Sequence, residues 1–176
     1  MLKKIEKRKF LTKEECNEII EMCEDIGFTL TEPIGGEPAV VVKFKETDDF
    51  YVKMKKRLPF FYDYFRDNSN HKNIELVQIK VHKYSHKNTS HMPVHNDVID
   101  FSISISLNDD YEGGGVYFPF YNKLYNSETQ KQGESVIWKG DKLLSFHEVL
   151  PTVIGTRYCL IMFFTPGGEK GKRSIG

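Results

Sequence analysis

Helices first and strands afterwards: the order of patterns predicts an α+β domain whose second part is a β-sandwich or barrel. Three observations predict it. Thr12-Lys13-Glu14-Glu15 has the T-x-x-E form of a capping box, and Cys16, Ile19, Ile20 and Cys23 follow at helical spacing. From Ile74 onward the period changes to two, starting with IELVQIKVHKY and continuing at 100–107, 115–120, 133–138, 143–147 and 157–164. The chain of 176 residues, 39% hydrophobic with 13 Phe and 9 Tyr, is large and apolar enough to build one core without staples.

The first helix runs about three turns, and Gly27 is a natural stop for it. TEPIGGEP at 31–38 reads as a turn-rich loop, and AVVVKF after it as a buried strand. Between Asp48 and Phe65 the residues Phe50, Met54, Leu58, Phe61 and Phe65 fall near one helical face, and Pro59 either kinks that helix or splits it. Gly113–Gly115 reads as a hairpin or bulge, since no helix follows to make a phosphate cradle. Trp138 reads as core. The polar run NKLYNSETQKQG, with Asn122 and Asn126, reads as a lid over a substrate. No repeat or linker interrupts residues 1–166, which read as one domain, with 167–176 as a flexible tail.

Lys plus Arg and Asp plus Glu number 25 each, so net charge argues against nucleic acid or an anionic membrane as main partner. Local basic patches remain at KMKKR, 53–57, and EKGKR, 169–173. The opening MLKKIEKRKF lacks the apolar run of a secretory signal, and no segment reaches membrane-spanning length. Cys16, Cys23 and Cys159 include no CxxC pair and read as small core residues in a reducing compartment. The expectation is a soluble intracellular protein, cytoplasmic or otherwise.

The chemistry concentrates after residue 90. His95 and Asp97 stand two apart and share a face if that segment is extended. One further histidine, His147 in LLSFHEVLP, is flanked by strand signals. Two imidazoles and one carboxylate on one side leave half an octahedron open, which suits non-haem Fe(II) in oxygen-activating enzymes. His71, His82, His86 and His91 read as non-ligands, with His86 and His91 bordering the mouth of a site. Ten residues beyond His147, Arg157 opens an apolar strand whose inward face also carries Cys159, Ile161 and Phe163. A lone arginine there is costly unless it meets an anion, and its planar guanidinium matches a carboxylate. In FSISISLN, Phe101, Ile103, Ile105 and Leu107 alternate with Ser102, Ser104 and Ser106. That serine face leaves room inside a narrow barrel for a small dicarboxylate, unless it is the wet face of an edge strand.

An HxD pair, a distal histidine and a basic residue ten positions later resemble the 2-oxoglutarate/Fe(II) dioxygenases of the prolyl-hydroxylase type. The segments VHKY (81–84), HND (95–97), FSISISLN (101–108), DYEGGGVYF (110–118) and HEVLPTVIGTRY (147–158) are closer still to the catalytic domain of procollagen lysyl hydroxylases. With weaker similarity at ECNEIIEMCEDIG, the resemblance covers roughly residues 10–166. It implies a double-stranded β-helix, a cupin-like jelly roll, with the N-terminal helices packed against one sheet. It implies His95, Asp97 and His147 as iron ligands, Arg157 on the distal carboxylate of 2-oxoglutarate, Tyr84 beside that cosubstrate, and Ser102 or Ser104 completing the pocket. Fe(II), 2-oxoglutarate, dioxygen and ascorbate are the implied cofactors and cosubstrates, and succinate the coproduct. The implied acceptor is a protein or peptide side chain, lysine first and proline second. A small-molecule acceptor and a cupin-like binding module without turnover are the alternatives, and whether the protein is a monomer or homodimer is left open. Lys142 stands where the family usually has arginine, and the glycosyltransferase domains of the lysyl hydroxylases have no counterpart here.

Overall fold

A computed structural model describes residues 5–31 and 38–167, so most of the 31–38 loop, the EKGKR patch and all but the first residue of the expected tail lie outside the described residues. Strand β1 (Ile5–Lys9) precedes helix α1 (Lys13–Ile26), short strands β2 (Thr29–Leu30) and β3 (Val40–Phe44), helix α2 (Asp49–Lys55), a 3₁₀ turn (Leu58–Phe61) and helix α3 (Tyr62–Asn68). The strands that follow are β4 (Ile74–Ser85), β5 (Met92–His95), β6 (Phe101–Ser106), β7 (Glu112–Gly113), β8 (Val116–Phe118), β9 (Lys123–Tyr125), β10 (Glu134–Lys139), β11 (His147–Val149), β12 (Thr152–Ile154) and β13 (Thr156–Pro166).

The capping box forms as its residue types require: the Glu15 backbone N–H donates to Thr12 Oγ1 at 3.1 Å, and the Thr12 N–H donates to Glu15 Oε2 at 2.9 Å. Gly27 ends α1 with φ at 91°, a left-handed value that glycine adopts without penalty. Pro59 splits the second helical region rather than kinking it: α2 stops at Lys55 and Pro59 lies in the 3₁₀ turn before α3.

All strand pairs are antiparallel. The larger sheet runs β1-β10-β6-β13-β4-β3-β2, the smaller β5-β11-β8-β9, and β12 pairs with β7. On one face of the larger sheet, Ile79, Val81, Ile103, Ile105, Leu160 and Met162 form the main core with Cys16, Ile19, Tyr51, Met54 and Phe65 from the helices. This is the expected packing of N-terminal helices on one sheet. The other face meets the smaller sheet: Val41, Tyr84 and Cys159 pack against Met92 and Val149, and Val136 and Trp138 against Val116 and Phe118. The space between the two sheets is the barrel lumen.

Two local expectations need correction, and one strand has no counterpart among the expectations. Residues 143–146 are not a strand: Asp141 Oδ1 accepts the backbone N–H groups of Leu143 and Leu144 at 2.8 and 2.9 Å, forming a turn, and β11 begins only at His147. The charged start is a strand from Ile5, paired with β10. The 122–133 run is not a loose lid. It contains β9 and an Asx turn at Asn126, and buried Gln130 donates to Ser104 O and Glu134 O at 3.0 and 2.9 Å. No helix among the described residues is long and apolar enough to cross a membrane.

Candidate metal centre

His147 is the first residue of β11 and pairs directly with His95, the last of β5. Cross-strand pairing therefore brings the two imidazoles together, with ring centroids 4.4 Å apart. Asp97 arrives by a different route from the strand parity that the sequence suggested. The chain leaves β5 at His95 and turns at once, with the Val98 N–H donating to Asn96 Oδ1 at 3.0 Å. Val98 is held at φ 53°, a conformation a β-branched residue adopts only under outside constraint. The turn swings Asp97 inward, so that Oδ1 lies 3.5 Å from His95 Nε2 and 3.6 Å from His147 Nε2. One ligand atom from each of the three residues lies within 4.8 Å of the others, a set that can hold a metal ion.

Each ligand is oriented from behind. His95 Nδ1 lies 2.7 Å from Pro93 O and His147 Nδ1 2.8 Å from Ser145 O, which leaves both Nε2 atoms facing Asp97. Ser102 donates its hydroxyl to Asp97 Oδ2 at 2.7 Å. Asn96 Nδ2 donates to Asp141 O at 2.6 Å and to Ser145 Oγ at 3.0 Å, tying the HND turn to the segment that delivers His147. The His147 ring packs on Trp138 and Phe118, with centroids 5.1 and 5.5 Å away, and Trp138 is core as expected. Burial alone would push the Asp97 carboxyl up, but the charges and hydrogen bonds of His147 and His95 outweigh it and hold Asp97 well below the usual carboxylate range. Burial would push His147 down, and Asp97 outweighs it to raise His147.

Deeper in the lumen, Arg157 is 1% exposed, and its Nε and Nη1 have no hydrogen-bond partner among the described residues. Arg157 pairs across β13 and β4 with Tyr84, whose ring centroid lies 5.4 Å from the guanidinium carbon. The Tyr84 hydroxyl meets His82 Nδ1 at 3.0 Å, and burial pushes the Tyr84 phenol up. Gly114, at φ 65°, lets the chain pass close by: a Cβ there would lie 3.4 Å from Arg157 Cδ and 3.0 Å from Thr152 Oγ1.

The lumen thus gathers His95, Asp97, His147, Arg157 and Tyr84. Ser102, Ser104 and Ser106 are all buried on this face, which removes the wet-edge alternative. Their jobs differ: Ser102 holds Asp97, Ser106 donates to Asn108 O at 2.8 Å, and the Ser104 hydroxyl has no partner among the described residues. His86 is exposed and His91 half-buried, neither among the metal-holding group. Asn96, Ser145 and Tyr111, which lies buried against Arg157, escaped sequence reasoning. For Asn96 a signal existed in its place between two ligands; for the others none did.

Two imidazoles and one carboxylate on one side of a jelly-roll lumen are a donor set that suits non-haem Fe(II). The comparisons agree. The fold matches the viral collagen prolyl hydroxylase of Paramecium Bursaria Chlorella virus-1, with a TM-score of 0.73 at 17% identity, over 92% of this chain and 96% of that one. In sequence the chain is 34% identical over 99 residues to the multifunctional procollagen lysine hydroxylase and glycosyltransferase of Caenorhabditis elegans. It is 40% identical over 75 residues to procollagen-lysine,2-oxoglutarate 5-dioxygenase 1 of Rattus norvegicus. Those matches take in 54% and 41% of this chain but only 13% and 10% of the two relatives. No family model matches the chain. The chain is thus similar in fold to a viral prolyl hydroxylase and, over about half of its length, similar in sequence to procollagen lysyl hydroxylases.

Proposed function

We propose that this chain is a 2-oxoglutarate-dependent dioxygenase that hydroxylates a protein side chain, peptidyl lysine first and peptidyl proline second. The observation that carries this is the pairing of two features across one lumen. Three ligand atoms sit within 4.8 Å of one another, and a fully buried guanidinium has two orphaned donors. An iron ion fits the first feature, since the set offers two imidazoles and a carboxylate on one side. A dicarboxylate fits the second, since the orphaned donors of Arg157 need an anion and no carboxylate among the described residues supplies one.

Bound ferrous iron would supply the oxidative chemistry, in which one oxygen atom of O2 enters the acceptor C–H bond and the other enters 2-oxoglutarate as it loses CO2 to give succinate. The protein's own residues bind and orient. Asp97, His95 and His147 would hold the ion from one side. Arg157 fixes the distal carboxylate, Tyr84 walls the cosubstrate, and Trp138 and Phe118 keep the His147 side dry. The lysine preference is supported by the sequence likeness to lysyl hydroxylases.

The test is incubation with Fe(II), 2-oxoglutarate, ascorbate and lysine-rich or proline-rich peptides, following succinate release and addition of one oxygen by mass spectrometry. Lysine-rich peptides are expected to gain oxygen, and His147→Ala to lose both signals while keeping its circular dichroism. Succinate release undiminished in His147→Ala overturns the ligand set; oxygen gained only by proline-rich peptides overturns the lysine assignment.

A further inference from the structure

The lumen face of β4 carries a cation that the oxygenase reading does not use. Gln78, Lys80, His82 and Tyr84 pair in register with Phe163, Ile161, Cys159 and Arg157. Tyr84, Cys159 and Ile161 belong to the cluster facing the smaller sheet, so Lys80 projects into the lumen. Lys80 is 7% exposed and has no carboxylate within ion-pair distance among the described residues. Its ammonium rests 4.8 Å from the centre of the Phe163 ring. A ring face offsets only a small part of the cost of removing an ammonium from water, so this lysine is held in a position that stability alone does not reward.

Its place along the lumen says which group it could serve. Phe163 pairs with Ser102, the residue that holds Asp97. The Lys80 ammonium therefore lies at the level of the metal ligands. Arg157 pairs with Tyr84, four residues along β4 from Lys80, which is about 13 Å along a strand. Gln78, next on the same face, has a buried Oε1 without a partner among the described residues. Lys43 pairs with Lys80 on β3 and is exposed, extending positive charge outward.

We propose that Lys80 binds a carboxylate at the metal end of the lumen, distinct from the one assigned to Arg157. Two sources offer that chemistry: the 2-oxo-acid end of the cosubstrate, or an acidic group flanking the hydroxylated residue. The proposal deepens the oxygenase reading and rests on it for the identity of the lumen. Burial lowers Lys80 below the ordinary lysine value, and Asp97 opposes that shift; a bound carboxylate would act in the same direction as Asp97.

The test uses protein loaded with Mn(II) in place of iron, titrated calorimetrically with 2-oxoglutarate, comparing wild type with Lys80→Met and Lys80→Arg. If the cosubstrate supplies the carboxylate, Lys80→Met weakens 2-oxoglutarate about tenfold or more, the loss of one charge-assisted contact, and Lys80→Arg recovers most of it. If the acceptor supplies it, 2-oxoglutarate affinity stays within about twofold. Wild type then binds lysine peptides flanked by Glu or Asp at least about tenfold more tightly than neutral ones, and Lys80→Met erases the preference. Equal 2-oxoglutarate affinity and equal peptide preference in wild type and Lys80→Met overturn the proposal. Should wild type not take up 2-oxoglutarate at all, the oxygenase reading fails by itself. The Lys80 inference is then read from thermal shifts with malonate, succinate and glutarate, and falls if wild type and Lys80→Met shift alike.

Discussion

Arg157 carries a full charge in a place where folding gains little from it. The side chain is 1% exposed with two donors unpartnered among the described residues, and the neighbouring groups are aromatic or weakly polar: Tyr84, Tyr111 and Cys159. A charge held out of water without a paired counter-charge is costly, and an apolar side chain of similar volume removes that cost. Arg157→Met should therefore raise the unfolding midpoint of the ligand-free protein, by about 2–4 °C for each kcal/mol gained. The same change should weaken 2-oxoglutarate at least about tenfold, because it strips a charge-assisted contact. Differential scanning calorimetry with and without 2-oxoglutarate on Mn(II)-loaded protein reads both effects. A variant that is less stable and still responds fully to 2-oxoglutarate would make Arg157 a structural residue.

At the scale of elements, the candidate metal site joins the end of β5 to the start of β11, and Asn96 ties the turn after one to the segment before the other. Its Oδ1 accepts from Val98 N–H, and its Nδ2 donates to Asp141 O and Ser145 Oγ, while Ser145 O holds His147 Nδ1. Asn96→Ala should weaken Mn(II) binding by about 10–100-fold, the usual effect of removing groups that orient ligands, with the secondary structure retained. Asn96→Asp keeps the acceptor but loses the donors, so it should not rescue. Mn(II) electron paramagnetic resonance titration measures this, and wild-type affinity in Asn96→Ala would refute the role. The long elements were legible because they carry period and caps: Thr12 with Glu15 marked α1, and alternation marked β4, β6 and β13. Strands β5, β7, β8, β9, β11 and β12 span two to four residues each and show no period of their own. His95, Asp97 and His147 could be named from side-chain chemistry, but the link from Asn96 to Asp141 and Ser145 spans 45 to 49 positions and leaves no local mark.

At the scale of the whole molecule, the larger sheet ends on β1, a strand of only five residues, four of them charged. Pairing with β10 holds it in place, Lys7 and Lys9 donate to Thr129 O and Gln132 O at 2.8 and 2.5 Å, and a clamp to the helices adds to these. Arg8 grips Asp63 of α3 with two parallel bonds of 2.7 and 2.8 Å and donates to Phe60 O at 2.8 Å, so the first strand is fastened to the helical layer as well as to the sheet. The Arg8 hydrogen bonds hold the Asp63 carboxyl down, at about 2 against an ordinary 3.8. A carboxyl whose folded value is depressed binds fewer protons in the native than in the unfolded protein across that interval. Its contribution is therefore complete above the ordinary value and is lost as pH falls through the folded one. The Asp63 side chain is 47% exposed, so solvent screening keeps the effect below about 1 kcal/mol. Chemical denaturation from pH 6 to pH 2 should show wild type more stable than Asp63→Asn near neutrality, with the gap closing between about pH 4 and pH 2. A gap that stays constant down to pH 2 would mean that the clamp holds β1 by shape and neutral hydrogen bonding, with the Asp63 charge contributing nothing.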